Sequence, residues 1–310
     1  MPTYAISTNY KLAVNDEAVW GTAVTTGAEY LRIVDSNFKP DLGFVDSNEI
    51  NSAHRQTPDT VNVSAKGSGS VKGEVSYKTY DRLFQSLFGA AYAVVSTVRT
   101  LKIGKTPRPL TIQEEYSDLT TTINAYRGAF VNSCSINVQV GQLINLSFGF
   151  MSKKPTMEAA SVIGTPAAAN TNPIMSPIAD VRVIQEGASL VTLAGVSSIT
   201  ISLQNDITEL MVLGSADPAF MTPGRIRVTG SISVFKADAA LLTKFIGVVV
   251  SKFLITLGGA STLNYTFSLA NIKFTSYATN ASQSTAITET FGFSGLYDST
   301  DSALKIIAND

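Results

Sequence analysis

The same order of elements occurs twice along this chain, and that recurrence restricts the fold more than any composition figure does. Val71-x-Gly73-x-Val75-Ser76-Tyr77 is followed by Asp81 and a short amphipathic stretch that stops at Gly89. Val228-x-Gly230-x-Ile232-Ser233-Val234 is followed by Asp238 and a similar stretch that stops at Gly247. Gly73 and Gly230 lie 157 positions apart, as do Asp81 and Asp238. Phe148-Gly149-Phe150 then returns as Phe291-Gly292-Phe293, at the smaller spacing of 143. Solenoid units repeat every ~20–50 residues, so a recurrence this long marks a duplicated domain. The expected division is a first unit over 1–158, a linker over 159–177 rich in Ala, Asn and Pro, and a second unit over 178–310.

The local patterns within each unit are mostly those of strands. Asn145–Phe150, Ile199–Leu203 and Val228–Val234 alternate apolar residues with small polar ones, the period-two signature of a half-buried strand. Two segments have helical spacing instead. Leu83, Phe84, Leu87 and Phe88 fall on one face between Asp81 and Gly89, and Asp238–Gly247 follows the same plan. Residues 35–70 fit neither pattern. The stretch is polar and rich in turn residues, so it is expected to be a long loop, with 66–70 a flexible lead into a strand at Val71. A plain connector needs only ~4–6 residues, so a loop of this length is expected to have a function.

Composition removes several function classes. Catalytic constellations are hard to assemble from a single histidine, His54, and a single cysteine, Cys134. Cys134 lies in an alternating run and is expected to be a core residue; one cysteine also excludes an intrachain disulfide and a cysteine-rich metal site. Glu114-Glu115 is expected to face solvent, and 66–70 lacks the Gly-Lys-Ser/Thr ending of a phosphate loop. Enzyme activity, a cofactor and a metal are therefore not expected. With 23 basic and 24 acidic residues the net charge is −1, which argues against tight nucleic-acid binding by phosphate neutralisation. Charged residues are only 15% of the chain, in keeping with a subunit that hides surface against neighbours. The N-terminus shows no signal-peptide pattern, and the apolar run near 245–250 is too short to span a bilayer. Synthesis in a cytoplasm without membrane association is expected.

Several stretches, in order from about residue 20 to 297, resemble the two-domain tail tube proteins of phages with long non-contractile tails. They are the unit from Gly73 to Gly89, Tyr126-Arg127-Gly128, and Leu146-Ser147-Phe148-Gly149-Phe150-Met151. Asn170-Thr171-Asn172-Pro173, Leu203-Gln204-Asn205-Asp206, Leu213-Gly214-Ser215-Ala216-Asp217-Pro218 and Gly224–Ser231 complete the set. Lys236-Ala237 departs from the family, which often has an aromatic residue there. The resemblance implies a mainly β fold: two tandem β-sandwich or half-barrel domains of the tail tube type, each with one short flanking α-helix. It implies a structural virion protein that polymerises into stacked rings, the conduit for DNA ejection. Three duplicated chains per ring would supply six domain positions. Implied partners are further copies of the chain, the tape-measure, tail-terminator and distal tail proteins, and double-stranded DNA in transit. The alternatives are a fimbrial or capsid-decorating β-assembly and a carbohydrate-active β-enzyme; the single Trp20 and near absence of histidine weigh against the enzyme.

In such a tube the bore should let duplex DNA slide. Duplex carries one negative charge per ~1.7 Å, so exposed lysines would retard it and a wall of hydroxyls and amides would not. The expected bore residues are Glu74, Ser76, Ser133, Ser135, Asn137, Thr229, Ser231 and Ser233, with Lys72 on the same face as Glu74. The expected ring-stacking contact is the long loop, represented by Asp41, Asn48, Glu49, His54 and Arg55.

Overall fold

The computed structural model describes residues 4–50, 56–119, 122–187, 189–259, 262–281 and 286–310. In the first half, β1 (Tyr10–Asp16), β2 (Glu29–Tyr30), β3 (Asp35–Asp46) and β4 (Thr60–Glu74) precede helix α1 (Asp81–Phe88). After it come β5 (Ala93–Val95), β6 (Val98–Lys102), β7 (Leu110–Tyr116), β8 (Ile123–Gln139), β9 (Asn145–Lys153) and β10 (Thr156–Glu158). The second half starts with β11 (Val181–Glu186), β12 (Val191–Thr192), β13 (Val196–Asn205), β14 (Thr208–Leu210), β15 (Phe220–Thr222) and β16 (Ile226–Phe235). Helix α2 (Ala240–Ile246) follows, then β17 (Ser251–Gly258), β18 (Asn264–Asn280), β19 (Thr288–Gly295) and β20 (Lys305–Asn309). Mainly β structure with two short helices is what the alternating runs predict.

Eight of these strands form one antiparallel run in the order β3, β4, β9, β8, β13, β16, β19, β18. A second layer is built from the front halves of the two longest strands. The front of β8 pairs with β7 and β10, and β7 with β1. The front of β18 pairs with β17 and β20, and β17 with β11. Each long strand crosses from one layer to the other at a register shift, between Val131 and Ser133 in β8 and between Phe274 and Ser276 in β18. A bulge is the ordinary device for bending a strand between packed layers.

The pairing of the first half thus recurs in the second, down to single residues. Gly149 lies opposite Ser133, and Gly292 opposite Ser276. A Cβ on Gly149 would fall 2.4 Å from the Ser133 Oγ, and one on Gly292 would fall 2.3 Å from the Ser276 Oγ. In both places the serine hydroxyl occupies the volume a side chain would need. Register also corrects the glycine correspondence drawn from sequence. Phe150 pairs with Gly69 and Phe293 with Gly230, so the counterpart of Gly230 is Gly69, 161 positions away, not Gly73. The segment between strand and helix is longer in the first half, which shifts the helices back to the shorter spacing.

Between the layers lies an apolar core in which Phe148, Cys134, Leu203 and Val228 stand side by side on adjacent strands. Burial pushes the Cys134 thiol above its usual range. Helix α1 buries Leu83, Phe84, Leu87 and Phe88. It stops where Gly89 turns into the left-handed region at φ 59°, donating its N–H back to Ser86. Asp81 does not cap the helix; its carboxylate takes Arg99 and the Tyr265 hydroxyl. Helix α2 buries only Leu241, and there the left-handed residue is Val248, φ 51°, one position beyond Gly247.

Within the expected loop over 35–70, Asp35–Asp46 and the residues from Thr60 onward are the paired strands β3 and β4 of a hairpin, and 66–70 is strand, not a flexible lead. The inner part of the hairpin belongs to the eight-strand run; Leu42–Asp46 and Thr60–Ala65 reach beyond β9. Residues 159–177 pack mainly onto the first half. Ile163 is buried against Ala13 and Ala28, Glu29 bridges to Ala167, and Ser76 to Ile174.

Candidate functional site

Alternation along the eight paired strands leaves one face apolar and the other polar. On the polar face Lys72, Ser147, Ser135, Ser202, Thr229 and Ser294 succeed one another across neighbouring strands. The adjacent row is Glu74, Asn145, Asn137, Thr200, Ser231 and Gly292. Hydroxyls and amides bond across the strands: Thr200 donates to Asn137 at 3.3 Å, and Ser233 and Thr290 share a bond of 2.9 Å. The structure therefore brings Glu74, Ser133, Ser135, Asn137, Thr229, Ser231 and Ser233 onto one surface. Ser76 is not among them. It lies past the end of β4, 1% exposed, bonded to the Thr79 hydroxyl at 2.5 Å. The change of direction before α1 takes it off the strand face that simple alternation assigned.

Sequence reasoning missed Ser147, Ser198, Thr200, Ser202, Thr290 and Ser294 on this face, although their strands alternate in the same way. It also missed the charge arrangement. Lys72 pairs with Asp35 at 3.2 Å, Lys66 with Glu209 at 2.7 Å, and Arg227 with Asp206 at 3.0 Å. Each pair joins different strands or a strand and a loop, so no local pattern announces it. At the end of β16, Lys236 pairs with the buried Glu289, which holds its ammonium above the ordinary range.

Two edges of the run have no strand partner among the described residues: the outer edge of β3 and the back half of β18, Ser276–Asn280. Beyond the run, the outer hairpin exposes Leu42, Phe44, Val45, Val61 and Val63. Asp41, Asn48 and Glu49 are exposed on or beside it. His54 and Arg55 lie outside the described residues. The inner hairpin residues are tied to β14 and the turn before β15 by the Lys66–Glu209 pair and by Ala65 donating to the Ala216 carbonyl at 2.8 Å.

A family model described as phage tail tube protein matches residues 8–295. The chain belongs to the phage tail tube protein family. It is a structural, β-rich component of a virion tail, as the ordered resemblances in its sequence implied. Among solved structures, one chain from the virion of a native gene transfer agent particle aligns with 41% of this tail tube protein and 94% of its own length, at 13% identity and a TM-score of 0.31. No curated protein sequence matches. No described helix of the tail tube protein is long and apolar enough to cross a membrane.

Proposed function

We propose that three copies of this chain close into a ring, that rings stack into the tail tube, and that the polar face of the eight-strand run lines the bore. The observation that carries this reading is a continuous polar sheet face bounded by two unpaired edges, in a member of the tail tube family. An unpaired edge is a liability unless something covers it, and a neighbour in a ring covers it. The two units, 1–158 and 178–310 joined by 159–177, would occupy alternate positions around the ring.

The charge pattern supports passage of duplex DNA without retention. Three of the cations at this face already hold a carboxylate, so binding a phosphate would first require breaking an ion pair. The remaining wall is mainly hydroxyl and amide, with Lys39 opposite Ser68, Lys273 opposite Ser294 and the Glu74 carboxylate as its other charged groups, so it offers phosphate little net charge to neutralise. The role is then structural, without catalysis, and its partners are further copies of the chain, the proteins at the tube ends, the tape-measure protein and the DNA in transit.

The outer β3–β4 hairpin is the ring-stacking element in this reading, since it reaches past the sheet with apolar residues exposed. Electron microscopy of the purified protein tests both parts. Hollow filaments of uniform diameter, with three chains per ring, are expected from the unaltered chain. Replacing residues 44–61 with a short Gly-Ser turn should leave a folded subunit that forms no filaments. Six chains per ring, or no hollow filament at all, would overturn the ring reading; normal filaments from the shortened hairpin would overturn the stacking role.

A further inference from the structure

The junction between the two halves of the chain has a recognisable geometry, and both of its sides are presented again, unoccupied, at the far ends of the molecule. Inside the chain, the back half of β8 pairs with β13: Ser135 lies opposite Ser202, and Asn137 opposite Thr200. The shared pairing to Phe-Gly-Phe makes β18 the counterpart of β8, with Ser276 in the place of Ser133. It likewise makes β3 the counterpart of β13, because β3 pairs with β4 as β13 pairs with β16. β18 and β3 are the strands of the eight-strand run whose outer edges have no strand partner among the described residues.

The helices tell the same story. The Phe84 ring of α1 lies 6.3 Å from Tyr265 and 6.4 Å from Phe267, both in the second half, and its own half adds Phe148 at 5.4 Å. Asp81 at the start of α1 receives the Tyr265 hydroxyl at 2.6 Å. Helix α2 has no such cover. Ile246 is 72% exposed, and Val248, Val249 and Val250 beyond it are 61%, 47% and 48% exposed. Among the described residues, Asp238 before α2 bonds locally, accepting from the Ala240 N–H at 2.8 Å. Next to the helix is a recess of about 480 Å³ lined by Val191, Leu193, Phe235, Leu241 and Lys244 among others.

We infer that the chain-to-chain joint copies the joint inside the chain: β18 of one copy pairs antiparallel with β3 of the next, Ala278 opposite Lys39 and Asn280 opposite Asn37, while the apolar end of α2 is covered by the next copy's first half. The register follows by transferring the Ser135–Ser202 and Asn137–Thr200 pairs through the correspondences above. It keeps the polar face continuous, since Ala278 aligns with Thr290 and Lys39 with Ser68 on that face. The joint is heterologous, β18 to β3 and never β18 to β18, which closes into a ring only if the rotation per chain divides a full turn. Pro40 has no N–H to donate across this edge, so the ladder there has a gap that a wrongly shifted partner would place elsewhere.

This inference rests on the ring reading, and the test separates the two. Directly opposed antiparallel residues have Cα atoms ~4.5–5.5 Å apart, within disulfide reach. The double variant Ala278→Cys/Lys39→Cys should therefore oxidise in assembled filaments to a covalent trimer on non-reducing gels, and stay monomeric before assembly. Shifted pairs such as Ala278→Cys with Asp41→Cys or Asn37→Cys should lose most of that product. Ile246→Asp, at a position exposed in the free subunit, should keep the monomer's circular dichroism and lose ring formation. If filaments form but a shifted pair cross-links best, the register is overturned while the ring reading stands. If Ile246→Asp assembles as the parent does, the α2 contact is overturned. If the parent forms no filaments, the ring reading itself falls.

Discussion

Truncating Phe84 is the most direct probe of how the two halves hold each other. The side chain is 3% exposed and lies among three rings, Phe148 from its own half and Tyr265 and Phe267 from the other. Removing a buried phenylalanine costs ~3–5 kcal/mol, as lost transfer energy plus the cavity left behind. Edge-on ring pairs add ~0.5–1.5 kcal/mol each beyond buried area. With rings from both halves around it, the hole cannot collapse without moving the junction, so Phe84→Ala should fall near the upper end of that range. For a urea slope of ~3 kcal/mol/M, a loss of about 4 kcal/mol lowers the denaturation midpoint by roughly 1.3 M. Trp20 is the only tryptophan and packs against Phe220 of the second half at 5.2 Å, so its fluorescence reports the transition. The control is Ile246→Ala, at an exposed position, expected within ~0.5 kcal/mol of the parent. If Phe84→Ala shifts the midpoint no more than the control, the packing argument is wrong.

Two further predictions concern the core. A Cβ on Gly230 would meet the Thr200 carbonyl oxygen and the Phe293 ring, each at 2.3 Å; Gly230→Ala should therefore destabilise the subunit by ~1–3 kcal/mol in the same urea titration, and a neutral result would refute the close approach. Burial raises the Glu17 carboxyl above its ordinary 4.5, against the pull of bonds from Gly128, Thr111 and Gly21. Its folded form thus holds the proton more tightly than the unfolded chain, so the contribution of Glu17 to stability is fullest below pH 4.5 and declines as pH rises through the raised value. Glu17→Gln should flatten that part of the thermal-melting profile against pH, and an unchanged slope would remove Glu17 as its source.

Much of this architecture is legible in the residues where one strand carries both of its faces. β9, β13 and β16 alternate apolar and small polar residues, and each was readable as a strand. The β3–β4 hairpin was not, for a physical reason. In β4 the core side holds Gly67 and Gly69, and other residues fill the missing volume: Tyr126 and Ser152 crowd the place of a Cβ on Gly67, and the Phe38 ring that on Gly69. The apolar half of the pattern comes from elsewhere in the chain, so the strand reads as a polar, glycine-rich loop. Of the residues expected on the polar face only Ser76 lies off it, where the backbone turns away, while Ser147, Ser198, Thr200, Ser202, Thr290 and Ser294 went unread although their strands alternate in the same way. The ion pairs across that face depend on which strands become neighbours, and alternation within a strand does not encode that.

The internal β8–β13 ladder and the two unpaired edges differ in a way that bears on solubility. Where β8 meets β13, Cys134 and Ile136 face Leu203 and Ile201, all between 2% and 3% exposed. That contact forms within one polypeptide as it folds, so its apolar surface is never offered to another molecule. The edges left open carry Ser276, Tyr277, Ala278, Thr279 and Asn280 on one side and Asn37, Phe38, Lys39, Pro40 and Asp41 on the other, with the Tyr277 and Phe38 rings partly buried against the core. Charge, proline and small polar residues are what keep a free strand edge from sticking indiscriminately. The chain thus keeps its most apolar strand pairing inside one polypeptide and leaves mainly polar strand edges open, so the apolar part of the joint between copies is confined to the end of α2, where Ile246 and Val248 are exposed.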